Sequence, residues 1–134
     1  MTRVSFDDDN FEPPAPVLPV RIAGLKDHDP AAMLRMLVDT GADCTLIPAR
    51  IAKSLRLPLV DRVEIQGVGG KGQTAAVHAA RLRLGTLRAL VRVVALGDEC
   101  LLGRDVLNRL VLHIDGPALT IQATPPARPK RPRR

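Results

Sequence analysis

Short apolar stretches, broken at close intervals by glycine, proline and acidic clusters, organise this chain. Val17–Leu25 reads as a strand with Val20 and Ile22 apolar. Lys26-Asp27-His28-Asp29-Pro30 is turn chemistry. Ala31–Val38 is the expected partner strand, and its alternation puts Leu34, Met36 and Val38 on one face. Pro48 can begin a short helix to about Leu55, which Leu57-Pro58 stops. Val60–Gln66 and Thr74–Leu84 flank a glycine-rich tip and read as a long hairpin, and Gly85-Thr86 turns the chain into Leu87–Leu96. Gly97-Asp98-Glu99 leads to an apolar strand end at Cys100–Leu102, followed by a helix from about Arg104 to Leu110. Val111–Ile114, a turn at Asp115-Gly116-Pro117 and a last strand Ala118–Gln122 complete the pattern. No internal repeat is present. The sum is an all-β domain with one or two short helices.

Composition sharpens that picture. With 134 residues the chain suits one core, and 46% hydrophobic residues can fill it. The core is aliphatic: Trp and Tyr are absent, and Phe6 and Phe11 both lie near the N-terminus. No apolar run reaches the roughly 18 residues of a membrane span. Asp7, Asp8 and Asp9 stand where an export signal needs apolar residues. The two cysteines, Cys44 and Cys100, fit reduced, buried spectator thiols, so a cytoplasmic location is expected. No Cys/His spacing suits a metal, no cofactor is implied, and His28, His78 and His113 are scattered and receive no role.

Charge is uneven. Arg128, Lys130, Arg131, Arg133 and Arg134 hold five of the net +6, leaving the other residues nearly neutral. Residues 125–134 are therefore expected to be a disordered basic Pro/Arg tail, either solubilising or open to weak contact with nucleic acid. Residues 1–16, acidic and then proline-rich, are expected to be a flexible arm. The domain itself is expected over 17–124. Arg81, Arg83, Arg88 and Arg92 interleave with apolar residues, which reads most simply as a solvated sheet face, with a substrate- or nucleic-acid-binding face as the alternative.

The chemistry centres on Asp39-Thr40-Gly41-Ala42-Asp43, which follows the apolar Met36-Leu37-Val38. A strand running into Asp-Thr-Gly sets one carboxylate at a tight turn, where the threonine hydroxyl and the turn amides can hydrogen-bond it. Two further segments follow in order: the glycine-rich Gln66–Gly72, and Cys100-Leu101-Leu102-Gly103-Arg104-Asp105. Order and spacing together resemble the retropepsin-like (retroviral-type) aspartic proteases, including the single-domain bacterial versions and the protease domain of the DNA-damage-inducible proteins. The resemblance covers roughly residues 17–122.

That resemblance implies a closed acid-protease barrel with a flap hairpin, and aspartic endopeptidase activity on peptide or unfolded protein. Asp39 matches the family's catalytic aspartate, Thr40 the threonine that braces the pair of aspartates, and Gly41 the close-approach glycine. Ala42 and Asp43 match residues that hold the substrate backbone. The resemblance also implies an ion pair between Asp43 and Arg104. Gly67, Val68, Gly69 and Gly70 match the flap, and Leu37 and Leu101 match subsite walls. Asp98-Glu99 departs from the more apolar wall common in the family. The chemistry needs two carboxylates and this chain has one Asp-Thr-Gly, so a catalytic form must be a homodimer with Asp39 from each copy at the axis. Two other readings stay open here: a silent protease-fold interaction module, against which the intact turn argues, and a protein acting on nucleic acid through its tail, against which the near-neutral body argues.

Overall fold

The strands that alternation marks close into a ring. The computed structural model describes residues 1–66, 70 and 72–127. Its strands are β1 (Thr2–Ser5), β2 (Val17–Ala23), β3 (Ala31–Val38), β4 (Thr45–Ile47), β5 (Leu59–Gln66), β6 (Gly72–Leu84), β7 (Leu87–Ala95), β8 (Leu101–Leu102), β9 (Val111–Asp115) and β10 (Thr120–Thr124). Two short helices, α1 (Ala49–Ser54) and α2 (Arg104–Leu107), interrupt them. Seven strands run in the order β2-β3-β8-β4-β7-β6-β5, and β2 also pairs with β6, which closes a barrel. Strand β6 makes closure possible by its length: its first half pairs with β5 and its last residues pair with β2, while β7 follows its other edge.

Inward positions fill this barrel. Leu18, Val20 and Ile22 of β2, Met36 of β3, Leu82 of β6, Val93 of β7 and Leu102 of β8 are fully or almost fully buried. Leu34, Met36 and Val38 share the inner side of β3, as the alternation predicts. Burying one such side chain contributes about 1.5–3 kcal/mol. A satellite cluster of Ala75, Val77 and Val94 packs with Cys44, Leu46, Val63 and Ile65, joining the β5–β6 hairpin to β4 and β7.

Three features differ from the sequence reading. Thr2–Ser5, expected within a flexible arm, is strand β1, paired antiparallel to β10 with Val4 opposite Ile121. Phe6 packs against the core and Asp7 is buried, and both help to tie this segment down. The last strand starts at Thr120, not Ala118: Ala118 donates its N–H to Asp115 Oδ1 and Leu119 sits at φ +54, which extends the turn. The second helix stops at Leu107. Gly67, Val68, Gly69 and residues 128–134, the expected flap tip and most of the tail, lie outside the described residues. Among the described residues, no helix is long and apolar enough to cross a membrane.

Candidate active site

Strand β3 delivers Asp39 to the turn because its end is held on both sides. Leu37 and Val38 pair in parallel with Leu101 and Leu102 of β8. Val38 donates its N–H to Pro16 O at 3.0 Å, and Asp39 donates its own to Leu102 O at 3.1 Å. The carboxylate is then oriented locally: the N–H of Gly41 donates to Asp39 Oδ1 at 2.9 Å. A Cβ on Gly41 would lie 3.2 Å from that oxygen, so glycine keeps the approach open. Of the two kinds of donor that the sequence offers, one is engaged. The Gly41 amide holds the carboxylate, while the Thr40 side chain makes no hydrogen bond among the described residues and Thr40 is exposed.

Behind the turn lies a junction that sequence reasoning missed. Thr45 is fully buried, and its hydroxyl accepts the N–H of Gly103 at 3.1 Å and donates to Asp105 Oδ1 at 2.8 Å. The same Asp105 oxygen accepts the N–H of Val106. A buried hydroxyl needs such partners, since desolvation without them is costly. A Cβ at Gly103 would collide with the backbone of Cys44, so β8 and α2 can approach the turn only through a glycine. The Leu-Gly-Arg-Asp run carries the one available signal: a glycine before a helix, with an acid two residues on.

The expected ion pair between Asp43 and Arg104 does not form; among the described residues neither takes part in an ion pair. Arg104 instead donates from Nη1 to the carbonyl of Thr40 at 2.7 Å and from its backbone N to Ala42 O at 2.9 Å. Asp43 is exposed, and a solvated carboxylate gains little from pairing. Stitching of the turn to α2 is therefore real, but it runs through backbone carbonyls.

Leu37 and Leu101 line one groove of about 420 Å³, together with Cys100. Its other walls come from Asp7, Asn10 and Phe11 of the N-terminal segment and from Asp98 and Glu99. The contribution of Asp7 to Phe11 was not legible in the sequence. The Asn10 side-chain amide, backbone N–H groups of Asn10 and Asp9, and the charge of Arg35 hold the Asp7 carboxyl below its ordinary value, against the opposing effect of burial. Arg35 lies 3.5 Å from it. Burial raises the Cys44 thiol, reinforced by Asp43 and Asp105, and burial likewise raises Cys100. Both are protonated thiols at neutral pH, which makes them poor nucleophiles. Of the expected flap residues only Gly70 is described, at φ +76, a conformation that favours glycine. Among the described residues no cluster of His, Cys, Asp and Glu is arranged to hold a metal ion.

A family model described as "gag-polyprotein putative aspartyl protease" matches residues 30–109, from β3 to just beyond α2. Among solved structures, EIAV protease complexed with the inhibitor HBY-793 aligns at 22% identity and a TM-score of 0.55. That alignment covers 78% of this chain and 92% of the viral one, and it speaks to the fold. No curated protein matches the sequence significantly.

Proposed function

The chain belongs to the retroviral-type aspartyl protease family, and from that premise we propose that it is an aspartic endopeptidase active as a homodimer. The observation that carries this reading is Asp39 at the end of β3, its Oδ1 held by the Gly41 amide in the only Asp-Thr-Gly turn of the chain.

In the proposed dimer two Asp39 carboxylates face each other across a water. At that separation both cannot readily ionise, so they share one proton. The ionised member takes a proton from the water, which attacks the peptide carbonyl carbon. The protonated member hydrogen-bonds the carbonyl oxygen. Thr40, whose side chain makes no hydrogen bond among the described residues, would brace the pair across the axis. The hairpin of β5 and β6 serves as the flap, covering the peptide and excluding water. Leu37 and Leu101 offer an apolar floor to one substrate side chain, and Asp98 and Glu99 beside it disfavour an acidic one. Two coupled carboxylates give a bell-shaped pH profile on the acidic side, whose limits belong to the pair.

The test is cleavage of a peptide library by the purified protein, with and without a pepstatin-type inhibitor that mimics the tetrahedral intermediate. Inhibitable cleavage is expected. A folded dimer that binds peptides and never cleaves them would instead be a silent protease-fold module.

A further inference from the structure

A groove of about 520 Å³ lies away from Asp39, on the outer face of β2, β6 and β7. Register makes it unusual. Arg21 stands directly opposite Arg83, and Arg83 directly opposite Arg88, so three arginines form one row across three neighbouring strands. Strands lie about 4.8 Å apart, which puts the ends of the row roughly 10 Å from each other. Like charges directly opposite on a sheet are destabilising.

Partnering separates these three from their neighbours. The strands carry five arginines, and two are engaged: Arg81 with Asp27, Gly24 O and Lys26 O, and Arg92 with Asp61. Among the described residues Arg21, Arg83 and Arg88 make no ion pair and no side-chain hydrogen bond, and all three are exposed. Beside the row, Leu25 is 42% exposed and Leu90, opposite Arg81, 66%. Both line the groove.

We propose that this groove is a docking site for an extended acidic segment of a partner protein, with carboxylates on Arg21, Arg83 and Arg88 and an aliphatic side chain against Leu25 and Leu90. Guanidinium groups suit carboxylates because each can donate two parallel hydrogen bonds. The aliphatic lining calls for a ligand that is not purely anionic. Single-stranded nucleic acid fits less well, because the groove offers no aromatic ring for base stacking. The site is separate from the cleft. Arg21 pairs with Met33, six residues before Asp39, or roughly 20 Å along β3. It stands whether or not Asp39 is catalytic.

The experiment measures binding of a synthetic peptide of alternating glutamate and leucine to the full chain carrying Asp39→Asn, so that no peptide is consumed. Fluorescence anisotropy is read at low and high salt, with the glutamine counterpart as control. The glutamate peptide should bind, salt should weaken it, and Arg83→Glu should weaken it at least about tenfold, as loss of charge-assisted bonds requires. Arg62→Glu, an exposed change on β5, should leave binding unaltered. Arg83→Glu should also raise Tm, since it relieves the repulsion in the row. The proposal is overturned if neither peptide binds, if the glutamine peptide binds equally, or if Arg62→Glu matters as much as Arg83→Glu. It is overturned too if anionic vesicles or a single-stranded oligonucleotide bind more tightly through Arg83 than the peptide does. A change of oligomeric mass on Arg83→Glu would mark the face as a contact between copies and overturn it as well.

Discussion

The hydroxyl of Thr45 donates to Asp105 across 60 residues of sequence, at 2.8 Å, while accepting the N–H of Gly103. This buried junction fastens the strand after the acidic turn to α2. Thr45→Val keeps the shape and removes both bonds, leaving the Gly103 amide without its partner. The expected cost is about 1–3 kcal/mol of stability, and Thr45→Ser should recover most of it. Urea denaturation checks both, and a Thr45→Val protein as stable as the parent would mean the junction is dispensable.

Asp39→Asn should abolish proteolysis and leave the fold intact. Asparagine keeps the hydrogen bond from Gly41 available but cannot accept the proton from water. A general base is commonly worth about 10²–10⁴ in rate. Cleavage rates are the measurement, with circular dichroism as the control. Activity within about tenfold of the parent would sink the mechanism.

Specific activity should fall on dilution. Half of the proposed site comes from each copy, so mass action governs its population. Sedimentation and activity measured over the same concentration series should change together. A monomeric sample with full activity would refute the shared site.

Asp43 and Arg104 should behave as independent residues. Arg104→Ala loses the bond to the Thr40 carbonyl and should cost about 1 kcal/mol. Asp43→Ala, at an exposed position, should stay within about 0.5 kcal/mol of the parent. The double mutant should be additive, within about 0.5 kcal/mol. A coupling energy well above that would restore the ion pair in the assembled protein.

Asp7 should give stability that acid removes. Its carboxyl is held below its ordinary value in the folded chain, chiefly by the Asn10 side chain. The ionised form therefore stabilises the fold above the unfolded value, and that contribution is lost as pH falls through the folded one. Asp7→Asn should lower stability at neutral pH, and the gap to the parent should narrow as pH falls below the ordinary aspartate value and close in stronger acid. Denaturation midpoints across the acid range read this directly. A gap that persists unchanged in strong acid would assign the effect to packing.

The sequence by itself determined most of the elements and the acidic turn. Alternation marks Leu34, Met36 and Val38 as one face, glycine and proline mark the turns, and Asp39-Thr40-Gly41 carries its own local hydrogen bond. These are short-range properties, written in neighbouring residues. Only the tertiary structure decided which distant strands meet and in what register. Period-two patterning says which side of a strand is buried and nothing of the strand beside it. So β1 on β10, the closure of β2 on β6, and the row of Arg21, Arg83 and Arg88 could not be read from the chain. The choice of side-chain partner is finer still. Arg104 reaches Thr40 O where sequence pointed to Asp43, and Thr45 meets Asp105, because a few ångströms of backbone placement decide which acceptor a donor finds.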